Sequence, residues 1–328
     1  MKGFRTIIGF AVIILASSGC WEKFPPIEEE ERPTMSFSPL SGEQNADVKS
    51  LINSQTELQA NGVLGLFGTL SYTSSDQEIF NNDYLHYANN AWTYDYLLYW
   101  VKGGFYNFAA LYPYTAKNVP GIGSGAATYS FTNSGAALSL PVETNWQSPD
   151  LMYGFATRDL TTVEDYSTVP INLKHAFAAV EFKVVNASGV TVTDLSDVAL
   201  KNIIMSGTMS CSTNSALSWT LGARSDGSNY TRSGVVFQSL AYNNTEHSLF
   251  NGPFVVIPQE VVRTSASISF SKTGGDENNS VELSLGNVAD VQRWEAGKKY
   301  TYIINLQSTA ITFTVSVVDW NEYTYNLN

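Results

Sequence analysis

Cysteine and histidine are scarce in this chain. Two cysteines, Cys20 and Cys211, and three histidines, His86, His175 and His247, are spread over 328 residues. No two histidines stand four residues apart and no Cys/His cluster forms, so the sequence offers no zinc ligand set. Gly121, Gly123 and Ala126 fit a dinucleotide-binding spacing, but Pro120 precedes them and no strand–helix unit surrounds them, which marks a loop. A G-x-S-x-G elbow and a P-loop are both missing. Carboxylate pairs such as Asp276/Glu277 lie in a hydrophilic turn and read as solvated; no residue is nominated for the facing carboxylates of a glycosidase. His175 lies in line with Leu173 and Phe177, as a core histidine would. The reading is no enzyme, no catalytic residues, no metal and no cofactor.

Basic residues are also few, 18 against 30 acidic, for a formal charge of −12. That excess argues against nucleic acid or anionic lipid as a partner. Long apolar runs are lacking too. The one apolar stretch of note, Thr6 to Ala16, is too short to span a bilayer and has the length of a secretory signal.

What is present begins with that signal. Lys2 and Arg5 precede the apolar run, and Ser17, Ser18, Gly19 and Cys20 follow it. This order marks a bacterial lipoprotein precursor, in which the thiol of Cys20 takes a diacylglycerol and cleavage makes it the new N-terminus. Ser17 stands where leucine is commoner. An ordinary signal with a chance cysteine is the alternative. With Cys20 lipidated, Cys211 has no partner and the fold must rest on its core. Residues 1–19 are then signal and 20–34 a tether rich in proline and acid, with Glu28 to Glu31 in one run. That run is either a solvated stretch or an address for outward export.

Beyond the tether the pattern is β. Ala266, Ile268 and Phe270 alternate with serines from Ser265 to Ser271. Tyr300, Tyr302, Ile304 and Leu306 alternate likewise, as do Ile311, Phe313, Val315 and Val317. Ile171, Leu173, His175, Phe177 and Ala179 share a face before the apolar phase moves to Val180, Phe182 and Val184, which predicts a β-bulge. Phe105 to Tyr112 is apolar on both faces, as a doubly covered central strand would be. A helix is expected over Asp47 to Leu58. The fold class is all-β, with two sandwiches at 35–165 and 166–328. Tyr84, Tyr87, Trp92, Tyr94, Tyr96, Tyr99 and Trp100 crowd one segment; they are core if buried, and a platform for sugar rings or a protein if exposed.

One series of residues runs through the chain in a fixed order. It begins with Asn61-Gly-Val-Leu-Gly-Leu-Phe-Gly-Thr, Trp92 and Trp100, then Phe105-Tyr-Asn-Phe-Ala-Ala-Leu-Tyr-Pro-Tyr114 and Asp150-Leu-Met-Tyr-Gly-Phe-Ala156. It continues with Leu173-Lys-His-Ala-Phe-Ala-Ala-Val-Glu-Phe-Lys183 and Val256-Ile-Pro-Gln259. It closes with Trp294, Gly297-Lys-Lys-Tyr-Thr-Tyr302 and Val318-Asp-Trp320. This series resembles the fimbrillin family, lipoprotein subunits of type V pili in Bacteroidia.

The resemblance implies two tandem transthyretin-like β-sandwiches, no enzymatic activity and assembly with other fimbrial subunits, as a homo- or heteropolymer. It also implies delivery to the outer membrane on a lipid, and removal by an arginine-specific protease of a segment that includes the first strand. A neighbour's extended C-terminal strand then fills the vacated groove. Carried onto this chain, the displaced strand includes Met35 to Ser38, with Met35 and Phe37 facing in. Arg32 is the sole arginine between Cys20 and Val63. Pro33 follows it and disfavours cleavage, and a cut there would leave the Met35 strand in place, so an unprocessed anchor stays open. The donor candidate is the tail, where Tyr323, Tyr325 and Leu327 alternate with polar residues; a plain edge strand, or a tip subunit that donates nothing, are the alternatives. A second functional reading is a monomeric surface lipoprotein that binds a glycan on Trp92 and Trp100. No host receptor or glycan is identifiable from these residues.

The lipid is testable at once. The mature protein is expected to partition into detergent and to yield an N-terminal peptide carrying diacylglyceryl-Cys20 by mass spectrometry. Cys20→Ala should shift it to the aqueous phase; an unmodified terminus in the native protein would mark an ordinary signal instead.

Overall fold

The computed structural model describes residues 33–41, 51–114, 127–132, 135–273, 279–288, 291–307 and 311–320. Thr34–Asn328 forms one compact unit. Cys20, Arg32 and the tail residues Tyr323, Tyr325 and Leu327 lie outside the described residues. Among those described, no helix is long and apolar enough to cross a membrane.

The fold is all-β, as expected. Its elements begin with β1 (Phe37–Leu40), α1 (Gln55–Asn61), β2 (Val63–Tyr72), β3 (Ser75–Ala88), β4 (Ala91–Thr93) and β5 (Phe105–Tyr112). Next come β6 (Thr128–Thr132), β7 (Gly135–Glu143), β8 (Met152–Asp159), β9 (Val169–Asn172), β10 (Lys174–His175) and β11 (Ala178–Asn186). They continue with β12 (Val192–Lys201), β13 (Ser206–Ser212), β14 (Ser215–Leu221), β15 (Ser228–Leu240), β16 (His247–Ser248) and β17 (Phe254–Val256). The remainder are β18 (Gln259–Glu260), α2 (Val261–Thr264), β19 (Ser267–Thr273), β20 (Asn279–Ser284), β21 (Arg293–Trp294), β22 (Lys298–Leu306) and β23 (Ile311–Asp319).

A six-stranded sheet of order β10-β8-β5-β2-β3-β4 carries the first half. Strands β2 and β5 are buried along most of their length because they lie inside it and both of its faces are covered. Gly68 leaves room for the rings of its two cross-strand partners, since a Cβ there would stand 2.8 Å from the ring of Phe80 and 3.0 Å from that of Phe108. One face supplies Phe67, Ala109 and Leu111 to a core shared with Leu138 and Leu140 of β7 and Met209 of β13. Those last two strands belong to a sheet of order β14-β13-β7-β6, which takes one hairpin from each side of Asp165.

A second core lies between the sheet β16-β11-β22-β23, with β17 also paired to β11, and the sheet β15-β12-β19-β20. Val180, Phe182 and Val184 meet Leu195, Val198, Phe270, Tyr302 and Ile304 there. Phe182 stacks on Tyr302 with ring centroids 5.0 Å apart. Strand β11 faces both cores, since Ala178 and Val180 point into this one and Ala179 into the first. That geometry corrects the expected bulge. The register of β11 on β22 runs unbroken from Ala179 to Asn186, so the apolar phase change records residues up to Ala179 that face the first core and residues from Val180 that face the second.

Other expectations shift similarly. The helix begins at Ser54, whose hydroxyl accepts from the amide of Glu57, while Leu51 and Ile52 are buried in the extended segment before it. Residues 47–50 lie outside the described set. Ser265 adopts a left-handed conformation at the end of α2, so its strand starts at Ser267. Ser267 and Ser269 are buried rather than solvent-facing, and the hydroxyl of Ser267 donates to Glu282 at 2.7 Å. Strand β23 is an edge strand, and Val317 and Val318 are exposed on it.

His175 is buried and hydrogen-bonded as a core histidine. Its Nδ1 lies 2.8 Å from the carboxylate of Asp150, and its ring stacks on Trp320 at 3.8 Å. The Trp320 indole donates in turn to Asn53 at 3.1 Å. This buried network ties the end of β23 to the segment before α1 and to the turn before β8. Asp150→Ala or His175→Ala strands the other partner without its hydrogen bond. Each should lower stability by about 2–4 kcal/mol in denaturant titration; a loss below about 0.5 kcal/mol would show the pair to be dispensable.

Candidate assembly groove

The N-terminal strand enters the fold as a plug. Met35, Phe37, Pro39 and Ser41 are buried, and the residues between them are half-buried. The alternation follows from the period-2 geometry of an extended chain and extends the expected Met35/Phe37 pair by two positions. Phe37 sits in an aromatic nest, with ring centroids 5.0 Å from Phe108, 5.5 Å from Phe80 and 6.0 Å from Tyr94, all edge-on. Burying such a ring contributes roughly 1.5–3 kcal/mol.

Main-chain support is thin by comparison. Strand β1 pairs in parallel with β9 over four residues, Phe37 opposite Val169 to Leu40 opposite Asn172. Val169 and Leu173 donate to the carbonyls of Ser36 and Leu40 at 2.9 Å each. On the other side the amide of Met35 donates to Leu98 at 2.8 Å, and Thr34 bridges Tyr99. Pro39 in β1 and Pro170 in β9 bring no amide hydrogen, but both fall at positions that face away from this ladder, whose bonds join Ser36 and Leu40 to Val169 and Leu173. Side chains finish the job. The Tyr94 hydroxyl donates to the Met35 carbonyl at 3.0 Å, and Gln55 both donates to Pro39 and accepts from Ser41. Burial raises the pKa of Tyr94 and pushes that of Tyr106 up to about 12, so both phenols stay neutral in this apolar surround.

The structure thus brings Met35 and Phe37 together with the aromatic run. It also corrects the Trp92/Trp100 platform. Stacking on a sugar needs an open ring face, and these rings are 8% and 2% exposed. Trp100 packs edge-on against Tyr106 and Phe108, and Trp92 against Tyr87. The exposed members of the segment are Tyr96 and Leu97. Sequence reasoning missed Pro39, Ser41 and the partner β9; continuing the alternation past Ser38 would have found the first two, while nothing local signalled β9. Burial pushes the Cys211 thiol up to about 12, which leaves it unreactive.

What this site does is hold an extended chain by alternate buried side chains. The chain belongs to the fimbrillin-like family, whose profile matches residues 52–320. Similar solved structures include a fimbrial protein of Bacteroides vulgatus at 17% identity, covering 88% of this chain and 99% of that one with a TM-score of 0.59. Candidate cell adhesion proteins of Bacteroides uniformis and Bacteroides ovatus each share 15% identity, cover 89% of this chain and 99% of theirs, and have TM-scores of 0.53. At these identities they establish the all-β fold. No curated protein matches the chain in sequence.

Because packing outweighs pairing here, Phe37→Ala should loosen β1 by about 3–5 kcal/mol. Limited proteolysis with mass spectrometry should then find faster cleavage within residues 34–41. An unchanged rate would mean that the backbone bonds hold the strand.

Proposed function

We propose that the protein is a structural, non-catalytic subunit of a cell-surface fimbria that polymerises by strand exchange into the groove now filled by β1. Membership of the fimbrillin-like family supports the subunit role, and the fimbrial and cell-adhesion descriptions of its structural neighbours agree with it. One observation carries the exchange. The first strand of the fold pairs with β9 over only four residues and is held mainly by alternate buried side chains. A segment held that way is replaced by any other with the same period and apolar side chains, because the new main chain restores the bonds and the new side chains refill the pockets. The tail supplies such a segment in Tyr323, Tyr325 and Leu327.

In this reading the chain reaches the outer membrane on lipidated Cys20, and residues 35–165 and 166–328 supply most of one sandwich each, with the hairpin β13–β14 of the second stretch completing a sheet of the first. Cleavage after Arg32 would leave β1 seated, so a polymerising subunit needs a new terminus beyond Ser38. The assembled fimbria contributes to adhesion.

The test is polymer formation. Chains beginning after Ser41 should form SDS-resistant ladders that disappear on deletion of residues 321–328 and on Phe108→Asp in the groove. Ladders that persist without the tail would overturn the donor assignment, and monomers throughout would overturn strand exchange.

A further inference from the structure

One cavity lies away from the β1 groove, and the assembly reading makes no use of it. It holds about 590 Å³ between β14, β18, α2 and β21, within the range of small-molecule sites. Its lining includes Trp219, Leu221, Arg224, Gln259, Glu260 and Arg293.

Its floor is rigid. Gln259 is buried, and its amide is used up on backbone, accepting from the amide of Ile204 at 2.7 Å and donating to the carbonyls of Ile204 and Ile257 at 3.0 Å. Ile204 and Arg224 form a β-bridge across the cavity. Gly222 lies so close to Ser206 that a Cβ would stand 2.4 Å from its hydroxyl.

The aromatic wall is equally fixed. The Trp219 indole donates to the carbonyl of Ala176 at 3.2 Å. One face stacks on Phe177 at 5.7 Å and 20°. The residue is half-buried and lines the cavity.

Charge decides the ligand class. Arg224 donates to the carbonyl of Thr264 at 3.1 Å and pairs with Asp226 at 2.5 Å. Arg293 stands opposite Glu260 in the β18–β21 register. One guanidinium is thus paired with a carboxylate and the other stands beside one, so the site carries little net charge to attract an anion. It is nonetheless rich in planar donors and acceptors, with guanidinium N–H groups to spare. A flat aromatic face beside balanced, bidentate polar groups matches a sugar ring, which has an apolar C–H face and a rim of hydroxyls that both donate and accept. We infer that this cavity binds a neutral saccharide, with Trp219 under the ring and Arg224, Arg293 and Glu260 on its hydroxyls. This does not rest on strand exchange, since the monomer contains the whole site.

The test is saturation-transfer NMR on the full mature chain with maltotriose, mannotriose, N-acetyllactosamine and chitotriose, and with sialyllactose and hexaglutamate as acidic comparators. At least one neutral sugar should bind, with little change from low to high salt. Arg293→Gln, an exposed substitution, should weaken it about tenfold, the fold-change for losing a charge-assisted hydrogen bond. Trp219→Ala should abolish the transfer, with circular dichroism confirming the fold. Silence from every neutral sugar would overturn the inference. So would binding of the acidic probes alone, or affinity unchanged by Arg293→Gln.

Discussion

The architecture depends on one strand that joins the two cores. Strand β11 turns Ala178, Val180, Phe182 and Val184 into the second core and Ala179 into the first, and it is hydrogen-bonded in parallel to β22 on one edge and antiparallel to β16 and β17 on the other. Further along its other face Glu181 and Lys183 pair with Lys299 and Glu246, so the full desolvation cost of a polar substitution falls on the core-facing positions. Its neighbour β17 behaves alike, with Val255 facing one core and Phe254 and Val256 the other. Tyr230 adds a polar tie between the layers by donating to Thr144 and to the carbonyl of Val255. Core packing makes Thr34–Asn328 a single compact unit.

Against that rigid centre, β1 is attached differently. Its ladder is four residues long, while Met35 and Phe37 are buried, Phe37 among the rings of Phe80, Tyr94 and Phe108. The proposed strand exchange rests on that imbalance between side-chain packing and a short ladder.

Much of this was legible in the residues. The alternation in Lys298–Leu306, the doubly apolar Phe105–Tyr112 and the inward Met35 and Phe37 all appear as read, because period and burial are local properties of an extended chain. The fate of the Tyr/Trp segment was not legible. Whether Trp92 and Trp100 face water depends on what covers them, and Trp100 is covered in part by Tyr106 and Phe108, whose own orientation is set by the place of β5 inside the sheet. The bulge expected near Ala179 failed for a related reason, since one apolar phase change fits either an inserted residue or a second core. The cavity beside Trp219 was invisible, because Arg224 and Arg293 come from remote elements that only the fold brings together.

By itself, then, the amino-acid sequence determined the β class, the phases of most strands, the family resemblance and the scarcity of reactive side chains, all of which follow from composition and short-range periodicity. Only the tertiary structure decided which apolar faces are shared, which aromatics are hidden, and how firmly the first strand is held. Those are set by contacts between segments far apart in the chain, where burial is a property of the partner as much as of the residue.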